Sequence, residues 1–551
     1  MDKNCNRRIK GVYFIFVLLF LVISAKIFYL QVFKSNFFKN LARNQHYRLL
    51  SLKGKRGEIF DSRGRILATS VGRYSVFTDP LLIKNPESTA SLLSTKLNLS
   101  KEFLLSKLKQ KNRFGWLKRK ISLEDRDKLR VLKIKGIGFI REEERFYPQE
   151  SLSSSLIGIV DIDNNGLEGL ELFYNDYLNG KDGWVQVLQD SSSQEIILSP
   201  HIVIPKSGAN LILTIDAQIQ YWAEKYLVEK VKEFNAEGGS VVVMNASTGG
   251  IYALANYPDF NPNEFKPSDL SNLKNKALCD IFEPGSVFKI VALIAAVNEG
   301  KYKDSDIIFC EKGSFKVPGT TLHDWRPYGN LTFREVFMKS SNIGVAKIVA
   351  SLGSKIYYKY LDLYQFGQVT GIDFPGETAG MIKPLNNWSK TSQYIIPIGQ
   401  EIGVNLIQLA LVFANVVNDG FLVQPHLVQS VCFDNFCKDI PFVKKRVLSV
   451  ESASRVKDIL IDVVNSGTGA QAKIEGRKIG GKTGTAQKYD PQIKRYSPTD
   501  YRATFVGFIA DLEPAVVIGV TIDKPKKSHF GGVVAAPVFK NIAEKVIKYL
   551  D

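Results

Sequence analysis

The longest apolar stretch of the chain lies close to its N-terminus. Residues 11–25 carry no charge, and the apolar character resumes after Lys26. About 20 apolar residues span a bilayer as a helix, and a lysine near the end can reach the headgroups, so this stretch predicts one transmembrane helix at 11–32. The basic residues before it predict a cytoplasmic N-terminus, with the rest of the chain outside. A cleaved signal peptide is the alternative, but Ile23 and Ala25 make a poor cleavage site.

After this stretch the pattern predicts strands and helices in an irregular order. Residues 56–68 have the pattern of a strand, a turn at Gly64 and a returning strand, whereas residues 85–135 have the pattern of helices. The composition changes near 205–208, which indicates a domain boundary. We expect four segments: a cytoplasmic tail at 1–10, the anchor at 11–32, an N-terminal domain at 33–210 and a C-terminal domain at 211–551.

The C-terminal domain has strand patterns at both of its ends and helical patterns between them. Residues 240–255 predict a hairpin, and three further apolar strands precede a final helix. These later elements are 478–486, 503–510, 515–522 and the helix at 537–550. We therefore predict an α/β (α+β) domain, in which one antiparallel sheet is assembled from both sequence ends and is flanked by helices.

Composition excludes several classes of protein. Of the 551 residues, 45% are hydrophobic and 23% charged, which excludes a disulfide-framed miniprotein, a disordered chain and a polytopic membrane protein. The formal net charge is +18, and half of this excess lies between Lys101 and Lys135. Such a charge attracts nucleic acid, anionic lipid or an acidic polymer. The basic run shows no nucleic-acid-binding signature, so we expect a solvated helical face there, with a specific anion site as the alternative.

Cysteine and histidine show no metal-ligand spacing. The five cysteines form no zinc-like group, and the five histidines lie far apart. We therefore expect no metal and no cofactor. Cys432 and Cys437 could close a hairpin by a disulfide in an oxidising compartment, or they could remain two free thiols.

Ser286 opens the most informative segment. Pro284 and Gly285 place it at the start of a helix that is apolar on all sides except for Lys289, so the helix must be buried. A spacing of three residues places the hydroxyl and the amine on one helix face, and burial favours the neutral amine. A neutral lysine beside a serine is a nucleophile with its base. Ser-x-x-Lys occurs four times in the chain, so alone it could be a helix cap with a surface lysine.

Two further motifs follow in the order expected for serine acyl transfer. Ser340 and Asn342 supply Ser-x-Asn, and the segment Lys482, Thr483, Gly484 and Thr485 supplies Lys-Thr-Gly within a predicted strand. Each could separately be a turn or a mobile loop. Three motifs in order, each in its expected local structure, favour a serine acyltransferase.

These motifs resemble the active site of the penicillin-binding serine acyltransferases. The anchor and the segments 56–61 and 64–68 resemble the class B monofunctional D,D-transpeptidases. Further segments resemble the division-specific (septal) enzyme: 79–80, 145–148, 166–171 and 530–539. The chain departs from the family pattern at Ser62 and at 403–408, which puts the role of the second loop in doubt.

The resemblance implies a fold and a set of site residues. The expected fold has a single transmembrane helix, an elongated pedestal of the dimerisation type and a β-lactamase-like transpeptidase domain. Lys289 would take the proton of Ser286, which attacks the penultimate D-Ala of a peptidoglycan stem. Ser340 would relay a proton, and Asn342 would bind Lys289 and the substrate. The segment 482–485 would bind the substrate, whose carboxylate would lie against Lys482, Thr483 and Thr485.

The resemblance also implies partners and a location. Expected ligands are stem peptides and inhibitory β-lactams, with no nucleic acid. Expected protein partners are a polytopic glycan polymerase and other division proteins. The catalytic domain would lie outside the cytoplasmic (inner) membrane, at the division site. The alternatives are an elongation-type transpeptidase, a catalytically idle division scaffold or β-lactam sensor, and a secreted β-lactamase.

Overall fold

The computed structural model describes residues 3–39, 47–189, 195–196, 202–490 and 495–551. Its contacts divide the chain into two compact units. The first comprises Met1–Lys55 and Gly180–Ser207, and the second comprises Arg56–Asn179 and Gly208–Asp551.

The first unit contains the apolar N-terminal helix. An α-helix spans Lys3–Phe28 and continues as a π-helical turn over Tyr29–Phe33. Within it, an 18-residue window of Asn6–Phe33 has a mean hydropathy of 2.5 and no buried side chains, so the helix is long and apolar enough to cross a membrane. The unit also contains a small antiparallel sheet of Tyr47–Leu52, Gly183–Gln189, Glu195–Ile196 and Ile202–Val203.

The second unit contains a seven-stranded sheet that joins distant parts of the chain. Its strands are Phe436–Asp439, Val428–Phe433, Asn210–Leu213, Ile59–Phe60, Ile66–Thr78 and Gly115–Ile121 in spatial order, with Ile137–Phe146 also paired to Ile66–Thr78. Ile59 pairs with Ala68 across the turn at Gly64, which confirms the predicted hairpin. Gly64 has φ +79°, the left-handed region that favours glycine.

The helical prediction for residues 85–135 is only partly correct. Helices form at Pro86–Leu97, Lys101–Leu108 and Leu123–Arg130, but Gly115–Ile121 is a strand. Leu117 and Ile121 are both buried, with half-buried residues between them. This spacing suits a half-buried strand, but the surrounding lysines and arginines obscure it in the sequence. The prediction of one solvated helical face is therefore wrong for this segment.

The central sheet of the second unit has five antiparallel strands. Their spatial order is Ile251–Tyr257, Gly238–Asn245, Val516–Asp523, Arg495–Ile509 and Ile479–Asp490. This confirms the prediction of one antiparallel sheet assembled from both ends of the domain. We call Ile479–Asp490 the edge strand, because among the described strands it pairs only with Arg495–Ile509.

Helices cover both faces of this sheet. Side chains alternate along Gly238–Asn245, so that Val241 packs in one hydrophobic cluster and Val242 in the other. The first cluster includes residues of helices Ala217–Glu233 and Ala536–Leu550. The second includes residues of helices Lys289–Asn298, Asn342–Leu352, Leu406–Val417 and Val450–Ser466.

Short elements complete the second unit. Short helices are Ser154–Ile157, Gly169–Phe173, Asn175–Leu178, Lys276–Cys279, Phe333–Met338, Ser354–Leu363, Ser392–Ile395 and Gly531–Val534. Short strand pairs are Ile307–Phe309 with Asn330–Thr332, Ser314–Val317 with Thr320–His323, and Phe421–Val423 with Lys444–Arg446. Cys432 and Cys437 lie opposite each other in a hairpin and form a disulfide.

A buried ion cluster joins three segments of the N-terminal region. The Glu171 carboxylate accepts hydrogen bonds from Arg56 Nε at 2.7 Å and from Arg145 Nε at 2.6 Å. All three side chains are almost completely buried. Backbone carbonyls of Glu171 and Gly57 accept further guanidinium hydrogens. One carboxylate thus compensates two buried cations, which makes it the critical member of the cluster.

A second network connects the ends of the unit. Asp216 accepts hydrogen bonds from Arg63, Arg65 and the Tyr549 hydroxyl. Asp61 binds Arg65 and also accepts the backbone N–H of Ala217. The hairpin after residue 56 is therefore joined to the first and last helices of the predicted C-terminal domain.

We predict that Glu171→Gln destabilises the chain by about 3–5 kcal/mol, because it leaves two buried guanidinium groups without a counter-charge. Glutamine preserves the side-chain volume of glutamate, so the loss of stability comes from the removed charge and not from a cavity. Thermal unfolding of the full chain in detergent measures the effect. Glu124→Gln removes an exposed helical ion pair with Lys128 and should leave the unfolding temperature unchanged. Equal unfolding temperatures for the two variants would contradict this account.

Candidate active site

Ser286 lies in a tight turn that leads into a buried helix. The turn is a 3-10 helix over Gly285–Phe288, and the α-helix Lys289–Asn298 follows directly. Gly285 has φ +55°, and a Cβ there would lie 2.8 Å from the carbonyl oxygen of Thr485. Glycine is therefore required at this position, and the turn that carries the serine is held against the edge strand.

Lys289 is a buried amine with a defined set of partners. Its side chain is 0% exposed, and Nζ lies 2.7 Å from the Ser340 carbonyl oxygen and 2.7 Å from Asn342 Oδ1. Ser340 Oγ lies 3.2 Å away. Burial lowers the pKa of Lys289 to about 7, against a smaller opposing effect of the Asp324 carboxylate. The amine therefore titrates in the physiological range, as required of a base.

The partner geometry assigns the hydrogens of a neutral Lys289. A carbonyl oxygen and an amide oxygen can only accept, so the two amine hydrogens point to Ser340 O and Asn342 Oδ1. The remaining lone pair is then available to a hydroxyl. Ser340 Oγ is within reach of it, and Ser286 lies three residues before Lys289 at the start of the same helix.

Ser340 and Asn342 are positioned by a strained turn and a helix cap. Ser340 has φ +56°, and Ser341 caps the helix Asn342–Leu352 by accepting the Gly344 N–H. The Asp324 carboxylate accepts the backbone N–H groups of Asn342 and Ile343 and the Ser341 hydroxyl. An anion at a helix N-terminus is favourable. Asp324 thus fixes the turn that carries the second motif.

The edge strand carries the third motif. Lys482 is 1% exposed, and its Nζ donates to Ser340 Oγ at 2.8 Å. Burial, together with the charge of Lys289, holds the pKa of Lys482 far below its usual value. Thr483 Oγ1 donates to Thr468 Oγ1 at 3.3 Å, and Thr485 Oγ1 accepts the Gly531 N–H at 3.1 Å.

Gly484 permits close approach of the serine turn to the edge strand. A Cβ at Gly484 would lie 2.7 Å from the Pro284 carbonyl oxygen and 2.7 Å from a methyl group of Val287. A side chain at this position would therefore displace the turn. The structure thus brings the three predicted motifs together, with Ser340 Oγ between the amines of Lys289 and Lys482.

A family model described as the penicillin-binding protein transpeptidase domain matches residues 239–544. The chain belongs to the penicillin-binding transpeptidase family. A second model, the penicillin-binding protein dimerisation domain, matches residues 51–213. The two matches agree with the class B resemblance of the sequence.

Named relatives of this transpeptidase come from several bacteria. Stage V sporulation protein D of Bacillus subtilis is 33% identical over 98% of this chain and 85% of its own length. The probable peptidoglycan D,D-transpeptidase PenA of Neisseria meningitidis is 33% identical over 98% of this chain and 92% of its own. Peptidoglycan D,D-transpeptidase FtsI of Buchnera aphidicola is 32% identical over 97% of this chain and 93% of its own length.

Solved structures share the fold. Penicillin-binding protein 3 of Mycobacterium tuberculosis, complexed with aztreonam, superposes with a TM-score of 0.72 at 28% identity. The match covers 91% of this chain and 97% of that one.

Some residues of this transpeptidase site were not predicted from the sequence. The roles of Asp324 at the helix cap and of Thr468 beside Thr483 depend on contacts between segments that lie 18 and 15 residues apart and that no sequence pattern connects. The adjacent pair His323 and Asp324 is the signal in the sequence that could have pointed to Asp324. Within the described ranges, no group of three or more histidine, cysteine or acidic residues could hold a metal ion.

We predict that Asp324→Asn shifts the pH profile of acylation by penicillin. On the expectation that the neutral amine of Lys289 is the base, the acylation rate should rise with pH through about 7. The Asp324 charge raises the pKa of Lys289, so its removal should move the midpoint to lower pH. The displaced turn should also reduce the limiting rate about tenfold.

The control for this prediction is Asp362→Asn, an exposed substitution on the helix Ser354–Leu363. It should leave both the midpoint and the limiting rate unchanged. A rate loss in Asp324→Asn without a change in midpoint would mean that the carboxylate has no electrostatic effect on Lys289.

Proposed function

We propose that this protein is a septal peptidoglycan D,D-transpeptidase that cross-links stem peptides through a Ser286 acyl-enzyme and releases D-Ala. The observation that carries the proposal is the meeting of two buried lysines at one hydroxyl, Ser340 Oγ, beside the turn that carries Ser286. Family membership and the peptidoglycan D,D-transpeptidase names of two relatives support the reaction class.

Acylation starts with proton transfer from Ser286 to Lys289. The Ser286 oxygen then attacks the carbonyl carbon of the penultimate D-Ala, and the backbone N–H groups of Ser286 and Thr485 stabilise the oxyanion. Ser340 relays a proton from Lys289 to the leaving amine, and terminal D-Ala departs. In the second half-reaction, the amine of another stem attacks the ester, forms the cross-link and returns the proton to Ser286.

Lys482 couples substrate charge to this proton transfer. Its desolvated amine is costly to protonate in the free site. A bound substrate carboxylate adjacent to Lys482, Thr483 and Thr485 would restore the positive charge. The same ammonium would then hold the Ser340 oxygen as an acceptor, which directs the Ser340 proton toward the leaving amine.

The edge strand supplies a template for the stem peptide. An extended peptide can add to an unpaired strand edge through backbone hydrogen bonds. Gly484 allows the serine turn to lie directly against this strand, so a peptide on the edge reaches Ser286.

The N-terminal helix and the disulfide support an extracytoplasmic location. We propose an anchor at 11–32, a pedestal at 33–210 and a transpeptidase domain at 211–551, with residues 1–10 in the cytoplasm. A disulfide between Cys432 and Cys437 requires an oxidising compartment, which agrees with a catalytic domain outside the membrane. A polytopic glycan polymerase and other division proteins are the proposed partners.

The presence of all the expected site residues favours an enzyme over the other candidate functions. A scaffold or sensor has no need to keep Lys289, Asn342 and Lys482 gathered around Ser340, next to the turn that carries Ser286. A secreted β-lactamase has no use for the anchor or the N-terminal domain.

We predict that labelled penicillin forms a covalent adduct at Ser286 and that Ser286→Ala abolishes it. Lys289→Ala should fold but lose acylation by at least about 100-fold, the contribution typical of a positioned base. Mass mapping of the adduct and the unfolding temperature of each variant provide the measurements. An adduct on another residue, or normal acylation of Lys289→Ala, would refute the mechanism.

Depletion in the native cell tests the septal role. Filaments are expected, because cross-linking at the septum would stop while elongation continues. Round cells would instead assign the protein to elongation.

A further inference from the structure

An exposed aromatic side chain lies beside the second motif. Trp325 is 60% exposed, and its indole Nε1 donates to the Lys339 carbonyl oxygen at 3.1 Å. The Tyr328 ring lies edge-on to the indole, with 6.2 Å between the ring centroids, and the Arg326 guanidinium lies 4.3 Å from the indole centroid. We call Trp325, Arg326 and Tyr328 the aromatic platform. The acylation steps proposed above use none of these side chains.

The aromatic platform carries a positive charge that is available to a ligand. Arg326 is exposed, and no carboxylate of the described residues forms an ion pair with it. The neighbouring ammonium of Lys339 differs, because it pairs with Glu335 at 2.7 Å. A guanidinium that is stacked on an indole keeps its outward N–H groups free to bind a carboxylate. The platform therefore suits a peptide that carries carboxylates.

The aromatic platform lies at one particular end of the catalytic cleft. The edge strand forms one wall of this cleft, and the turn that carries the second motif forms the other. Thr468 connects the two walls, since its N–H donates to the Met338 carbonyl oxygen at 3.3 Å and its Oγ1 lies 3.3 Å from Thr483 Oγ1. The start of the turn thus lies at the Thr483 end of the cleft. The platform is bound at Lys339, so it lies at the same end.

The second half-reaction determines which ligand passes this end. The acceptor amine attacks the ester carbon, a C–N bond forms, the C–O bond to Ser286 breaks, and a proton of the amine returns to the serine oxygen. This step is acylation in reverse with a different amine, so the acceptor amine occupies the position that the D-Ala amine has left. In the proposed function, the D-Ala carboxylate lies against Lys482 and Thr483. The rest of an acceptor stem must therefore leave the cleft at that end.

The donor stem leaves the cleft at the opposite end. Its chain precedes the bond that Ser286 attacks, whereas D-Ala follows that bond. The two stems therefore cannot compete for the same surface, and the surface beside Trp325 is open to the acceptor.

We propose that the aromatic platform binds the acceptor stem, with the peptide packed against Trp325 and one stem carboxylate bound by Arg326. The inference rests on the proposed function, because the position of the acceptor follows from the acylation geometry. A rigid indole offers a large contact area and loses little conformational freedom on binding. Binding here raises the local concentration of the amine and favours its attack over that of water.

The test measures how the Ser286 acyl-enzyme divides between an amine and water. The full chain in detergent is acylated by an N-acyl-D-alanyl thioester, and the products of aminolysis and hydrolysis are quantified. One acceptor is D-alanine, which fills only the position of the leaving group. The others are two stem tripeptides, N-acetyl-L-Ala-γ-D-Glu followed by lysine or by diaminopimelate, supplied separately. The product ratio depends only on the second half-reaction, so neither slow acylation nor misfolded protein changes it.

Trp325→Ala should lower the aminolysis ratio about tenfold with the better tripeptide, the effect expected for a lost aromatic contact. Arg326→Gln should lower this ratio about threefold, as expected for one exposed ion pair. Neither variant should change the ratio with D-alanine, which does not extend to the platform.

Two control variants separate binding from local structure. Trp325→Phe loses the same indole hydrogen bond as Trp325→Ala but keeps an aromatic ring, so it should retain about half of the tripeptide ratio or more. Trp388→Ala removes another indole that donates to a backbone carbonyl, that of Lys383, and should change neither ratio.

Several results would overturn the inference or its basis. Unchanged ratios in Trp325→Ala, or failure of both tripeptides where D-alanine reacts, would refute binding of the acceptor stem. An equal fall with both kinds of acceptor would mean that Trp325 only positions the turn at Ser340. Slower acylation with unchanged ratios would assign the platform to the donor. Absence of penicillin labelling at Ser286, or hydrolysis alone with every acceptor, would refute the proposed function itself.

Discussion

The site depends on the removal of two lysines from water around a single hydroxyl. Lys289 and Lys482 are nearly inaccessible, and both lie within hydrogen-bond distance of Ser340 Oγ. Two ammonium groups so placed would repel each other and lose their hydration, so the folded chain favours neutral amines at this point. The cost of burying them is offset by the surrounding core, since residues 290–297 of the helix Lys289–Asn298 are all buried. The neutral state of the two lysine amines thus depends on the packing of the core around them.

The same core holds the two lysines at a fixed separation. One lysine belongs to a helix and the other to a strand, and these elements come from sequence positions almost 200 residues apart. Gly285 and Gly484 allow the backbones of the helix and the strand segments to touch. A side chain at either position would keep the two segments apart. Asp324 then fixes the third element, the turn at Ser340. Three rigid pieces meet in one place, which is how a scaffold positions reactive groups.

The local parts of this arrangement were predictable from the sequence. The apolar helix after Ser286 and the strand at Lys482 each follow from a strong hydrophobic pattern. The antiparallel sheet follows from the strand patterns at the two ends of the C-terminal domain. The strand Gly115–Ile121 was missed because its buried positions are separated by basic residues that suit either structure. The role of Asp324 could not be predicted, because no periodic pattern connects this residue with the helix N-terminus 18 residues later that it caps.

The network at Asp216 has a consequence for the order of folding. Asp216 contacts both Arg63 near the start of the unit and Tyr549 in the final helix. The central sheet likewise places Gly238–Asn245 beside Val516–Asp523. A chain that is synthesised from its N-terminus therefore has an incomplete sheet and exposed apolar strands until its last residues have been added. Such contacts of high sequence separation form slowly. The interval before completion is when this protein has most need of protection from aggregation and proteolysis.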